Sequence, residues 1–99
     1  MAIRLVTHRK GGNTADITAV AKRLKAAVMR HGAEAFQLSV EIAGPTAGQW
    51  VLTINFSDWN SYGRAMTAAM AEPDVQGILT ELDRVAEMTS RRLIAVVEI

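Results

Sequence analysis

The chain has 99 residues, 49% apolar and 21% charged, with a formal net charge of +1 and no cysteine. That length suits a single domain spanning residues 1–99 with a modest core, and the composition excludes a disordered chain. A near-neutral charge gives no electrostatic reason for a nucleic-acid or anionic-membrane partner, and the lack of cysteine excludes disulfides, thiolate metal sites and a cysteine nucleophile.

The amino-terminal MAIRLVTHRKGG lacks the long apolar region of a signal peptide, and no stretch approaches a membrane span. The expectation is a soluble cytoplasmic protein. Ile3 to Arg9 reads as a strand, with Ile3, Leu5 and Thr7 on one side and Arg4, Val6 and His8 on the other. Arg9-Lys10-Gly11-Gly12-Asn13 breaks it. Its backbone amides and two cations have some of the character of an anion site, but dinucleotide and phosphate-loop spacings are absent and a plain glycine turn is the simpler reading. Asn13 or Thr14 caps a helix on which Ile17, Val20, Ala21, Leu24 and Val28 recur at helical spacing, and Gly32 is its stop.

Phe36, Leu38, Val40 and Ile42 alternate with Gln37, Ser39 and Glu41, the pattern of a strand with one apolar and one polar face. After the turn Gly44-Pro45-Thr46-Ala47-Gly48, the alternation resumes with Trp50, Leu52, Ile54 and Phe56 against Gln49, Val51, Thr53 and Asn55. Two such strands in succession predict an antiparallel hairpin. A helix starts at Ser57 or Asp58 with Trp59, Tyr62, Met66, Ala69 and Met70 along its apolar stripe. Pro73 ends it and opens another, whose Val75, Ile78, Leu79, Leu82 and Ala86 make a second apolar face. Leu93 to Ile99 reads as the last strand.

This order predicts an α+β fold, a ferredoxin-like βαββααβ sandwich with a four-stranded antiparallel sheet and the helices on one sheet face. The other face combines Arg4, Val6, His8, Gln37, Ser39, Glu41, Thr53 and Asn55 with Ile94 and Val96 or their neighbours from the last strand, too polar for a dry core and too apolar in places for a fully wet surface. A second copy laid face to face would enclose it as a half-polar cavity, so a homodimer is expected.

The element order, the GQW that opens the third strand, the strand-to-helix junction NFSDWNSYG and the Glu72-Pro73-Asp74 helix restart resemble the dimeric α/β-barrel superfamily. Within it, the chain is most similar to small NIPSNAP-like proteins and to the antibiotic-biosynthesis-monooxygenase type. The resemblance implies a dimeric α/β barrel and a small hydrophobic or aromatic ligand held between sheet and helices. It equally allows cofactor-independent oxygenation or isomerisation of a phenolic or polyketide-like substrate. It also implies a pocket role for Asn55 and Trp59, because some such oxygenases carry an Asn at a strand end and a Trp four residues later. An amide can hold a phenolic oxygen while an aromatic wall excludes water. The further aromatic of those enzymes has no match here, Tyr62 lying one turn too early, and core packing is the competing account of Trp59 and Tyr62.

His8 is the best single candidate for acid–base work, with Glu41 or Asn55 near enough to orient its ring. Arg4, Ser39, Glu41, Thr53 and Tyr62 complete the expected substrate pocket, and Arg4 is placed to pair with Glu41 or Glu98. His31 has a structural reason to stand at a helix C-terminus. Two isolated histidines without clustered carboxylates predict no metal site, and no cofactor is expected.

Overall fold

Apolar alternation with a two-residue period and apolar recurrence at helical spacing sort the chain into seven elements. These are β1 (Ile3–Lys10), α1 (Thr14–Arg30), β2 (Ala35–Val40), β3 (Trp50–Phe56), α2 (Trp59–Met70), α3 (Pro73–Val85) and β4 (Glu87–Ala95). The computed structural model describes every residue from Met1 to Ile99. The strands form one sheet in the order β2-β3-β1-β4, with every neighbouring pair antiparallel. This is the ferredoxin-like α+β arrangement. No helix is long and apolar enough to cross a membrane.

Local chemistry places the helix ends. Asn13 is extended and its side-chain oxygen accepts the Asp16 amide at 2.9 Å, which satisfies one of the donors that a helix start leaves free. Asp58 does the same for α2 through the Ser61 amide at 2.7 Å. Pro73 begins α3, where its missing N–H costs nothing.

One sheet face and the inner stripes of all three helices share a single core. Leu5 of β1 lies opposite Ile54 of β3 and Leu93 of β4, so this register sends Ile3, Leu5, Leu52, Ile54 and Phe56 under the helices. Phe56, Ile17, Leu82 and Val75 are the largest side chains wholly removed from water. Each contributes about 1.5–3 kcal/mol by burial. Arg9 also turns inward. It is 2% exposed and its Nη1 donates to the Ala86 carbonyl at 2.9 Å and to Asp83 Oδ1 at 2.7 Å, which ties β1 to the end of α3. The glycine loop after it is therefore part of the packing between β1 and α3.

Three details differ from the sequence pattern. The last strand starts at Glu87 and ends at Ala95, where Leu93 to Ile99 was expected. Its first half, EMTSRR, carries no apolar alternation, but β1 offers a free edge as far as Lys10 and the pairing Lys10 to Glu87 fills it. At the other end β1 begins at Ile3, so β4 has nothing to pair with beyond Ala95 except the Ala2 carbonyl, which accepts from the Val96 amide. Ile42 lies past the end of β2 and is almost fully exposed. On α2 the buried positions are Ala65 and Ala69, while Trp59 and Met70 are exposed. Two alanines let the helix approach closely, and that rotation leaves the larger side chains at its margins.

Candidate functional site

The side chains on the face away from the helices follow from the register. Val6 pairs with Thr53 and Arg92, His8 with Val51 and Ser90, and Arg4 with Asn55 and Ile94. Arg4, Val6, His8, Val51, Thr53, Asn55, Gln37, Ser39, Ser90, Arg92 and Ile94 thus share one surface. Glu41 joins them just beyond β2. Its amide donates to the Gln49 carbonyl at 3.0 Å and its carbonyl accepts from Gly48 at 2.7 Å, so two backbone bonds fix a residue that is nominally in a loop.

Polar chemistry concentrates at His8, which is 4% exposed although it lies on the open face. Its Nε2 is 2.5 Å from Glu41 Oε1 and its Nδ1 is 3.1 Å from Ser90 Oγ. A carboxylate only accepts, so Nε2 carries the proton. In the neutral ring Nδ1 is then the lone-pair nitrogen and accepts from the Ser90 hydroxyl. The Thr46 hydroxyl donates to the other oxygen of Glu41. Hydrogen bonds from Thr46 and then His8 hold the Glu41 carboxyl below the ordinary glutamate range, against a smaller opposing effect of burial. Arg92 lies near enough to lower it further.

These groups border an open polar hollow of about 350 Å³ lined by His8, Thr46, Gln49, Thr89, Ser90 and Arg92. A β-bulge makes it. Between His8 and Arg9 the pairing steps from Ser90 to Met88, which leaves Thr89 as an extra residue on β4. Thr89 and Ser90 consequently both border the hollow, and Thr89 Oγ1 donates to Gln49 Oε1 at 2.7 Å across its mouth.

The expected site residues divide between the two faces of the sheet. His8 and Glu41 come together. Arg4 stands with neither Glu41 nor Glu98: its Nε donates to Asn55 Oδ1 at 3.0 Å, and Glu41 is taken by His8. Ser39 and Thr53 share the open face with them. Trp59 and Tyr62 lie on the helix side. Their rings are 5.5 Å apart, Tyr62 meets the core ring of Phe56 edge-on at 5.3 Å, and its hydroxyl accepts from Arg91 at 3.2 Å. Asn55 and Trp59 therefore belong to different surroundings, the first to Arg4 and the second to Tyr62. No group of three or more His, Asp or Glu side chains is arranged to hold a metal ion.

Thr46, Gln49, Thr89, Ser90 and Arg92 were absent from the expected set. The Ser90-Arg91-Arg92-Leu93-Ile94 run does hold the signal, because alternate residues from Ser90 onward lie on one face. The adjacent arginines and the adjacent apolar pair Leu93-Ile94 conceal its phase.

No protein-family model matches the chain, and no curated protein matches it. Solved structures do. SnoaB from Streptomyces nogalater, a cofactor-independent oxygenase, superposes with a TM-score of 0.75 at 19% identity, covering 99% of this chain and 95% of that one. An uncharacterised NIPSNAP domain protein from Burkholderia xenovorans gives 0.74 at 12% identity, covering 98% and 95%. A NIPSNAP family protein from Agrobacterium tumefaciens gives 0.70 at 11%, covering 98% and 87%. At these identities the likeness is one of fold, and it extends over almost the whole chain.

Proposed function

We propose that the chain is a small homodimeric protein whose open sheet face binds a small molecule and removes a proton from it, with His8 as the base. The observation that carries this reading is the chain of hydrogen bonds from half-buried Ser90 through buried His8 to half-buried Glu41 at the edge of a hollow. Glu41 fixes the ring and stabilises the imidazolium that forms, and Nδ1 takes the proton either directly or through the Ser90 hydroxyl. The proton leaves a C–H or O–H of an enolisable or phenolic molecule, and the electron pair stays on the substrate. Returning the proton to another carbon would complete an isomerisation. Reaction of the electron-rich anion with dioxygen as co-reactant would be the oxygenase alternative, the reaction class named for SnoaB.

Space favours this face over the gap between sheet and helices. That gap is filled by the core cluster, and the groove at its α1 edge measures only about 180 Å³. The test is deuterium incorporation from D2O into an enolisable β-dicarbonyl compound, followed by NMR. Wild-type protein should accelerate exchange, and His8→Gln should lower that rate by roughly 10²–10⁴-fold, the usual worth of a positioned base. Equal rates in the two proteins would remove His8 from the chemistry.

A further inference from the structure

The open face carries an imbalance of charge that its own chain does not correct. Two arginines, Arg4 and Arg92, face one carboxylate, Glu41. Arg4 is engaged with Asn55, and Glu41 is shared between His8 and Thr46. Arg92 takes part in none of the chain's ion pairs, although its strand neighbour Arg91 is tied to Tyr62 on the opposite face. It borders the same hollow as His8, and every other lining residue there is polar: Thr46, Gln49, Thr89 and Ser90. A guanidinium with a free donor fork beside hydroxyls and an amide is built to receive a planar or tetrahedral oxyanion. No lining residue offers a wholly apolar side chain to an uncharged ring.

We infer that the molecule taken up in this hollow is a small oxyanion, a carboxylate or phosphate, whose acid group rests on Arg92 and whose proton-bearing atom is turned to His8. This assignment of substrate class rests on the reading of His8 as the base. It adds an acid group to the small hydrophobic or aromatic ligand that the family resemblance implies. The division of roles follows from the geometry: Arg92 supplies binding and orientation, while the His8–Glu41 pair stays free to accept the proton.

Calorimetric titration with benzoate, methyl benzoate and inorganic phosphate separates the alternatives, since none of the three can undergo the exchange reaction. Wild-type protein should bind at least one of the two anions and prefer benzoate to its neutral ester. Arg92→Gln should weaken anion binding by roughly tenfold or more, the scale of one lost charge-assisted hydrogen bond, and abolish the preference for acid over ester. Arg92→Lys should retain part of that preference, and Arg91→Gln should leave it unchanged. Absence of anion binding by the wild type, equal affinity of Arg92→Gln, or tighter binding of the ester would each overturn the inference. His8→Gln distinguishes this failure from that of the proton-transfer reading, because it should keep benzoate affinity within about twofold while losing exchange. A His8→Gln protein that still catalyses exchange while Arg92 still governs anion binding would defeat the base assignment alone. Binding of phosphate but not benzoate would place the natural ligand among phosphate esters, and the reverse among carboxylic acids.

Discussion

Gly12 occupies a backbone conformation with φ of +73° directly after the strand that carries His8, and an added Cβ would stand 2.7 Å from the Val85 carbonyl oxygen. Both the left-handed backbone and the approach of α3 demand glycine there. Neighbouring Gly11 also has positive φ but faces open space, so the two substitutions separate strain from collision. Gly12→Ala should cost about 1–3 kcal/mol or more in denaturant unfolding, because strain and a backbone clash add, and Gly11→Ala should cost less. Equal losses at both positions would show that packing against α3 contributes nothing. The consequence reaches the site, since this packing and the Arg9 bonds to Asp83 and Ala86 hold the end of β1 on which His8 stands. His8 and Glu41 could be paired from sequence because alternation put both on the polar face of their strands. Arg92 could not, because two consecutive arginines are followed by two consecutive apolar residues, Leu93 and Ile94, and alternation alone leaves open which of each pair faces the hollow.

At the level of elements, the strands and helices with alternating or periodic apolar residues were readable, and the caps at Asn13 and Asp58 gave their starts. β4 was readable only in part. Its polar half is a strand because β1 presents unpaired backbone groups, a tertiary cause that lies outside the segment itself. Charge also ties elements together. Glu72, at the start of α3, accepts from Arg30 at 2.7 Å and bonds His31 at 2.7 Å, both at the end of α1. Its carboxyl is held below the ordinary range, first by Arg30 and then by His31, with desolvation opposing. A carboxyl lowered in the fold stabilises it fully above the ordinary glutamate pKa and loses that contribution as pH falls through the lowered value. The urea midpoint of the wild type should therefore fall between neutral pH and about pH 3, and Glu72→Gln should show a shallower fall. Identical acid dependence in the two proteins would mean that the clip between α1 and α3 carries no stability.

For the whole molecule, the unresolved balance is the sheet face without helices. It buries His8 and keeps Val6 at 9% exposure, yet Ile94 on the same face is 40% exposed and stands opposite Arg4. A chain of 99 residues has a limited core of its own, and a mixed face of this kind is completed most economically by a second copy related by a twofold axis. Two facing sheets would also bring two hollows into one enclosed space, where reduced solvent strengthens the interaction of Arg92 with an anion and of His8 with Glu41. Ile94→Lys tests this arrangement because it places a third cation beside Arg4 and Arg92 without touching the helix-side core. Sedimentation velocity should show a dimer for the wild type at micromolar concentration and a monomer for Ile94→Lys, with unchanged circular dichroism. The variant should also lose anion affinity if enclosure contributes to the site, since an exposed guanidinium is screened by salt and water. A wild-type monomer, or an Ile94→Lys dimer with intact affinity, would place the contact elsewhere and leave each hollow to work alone.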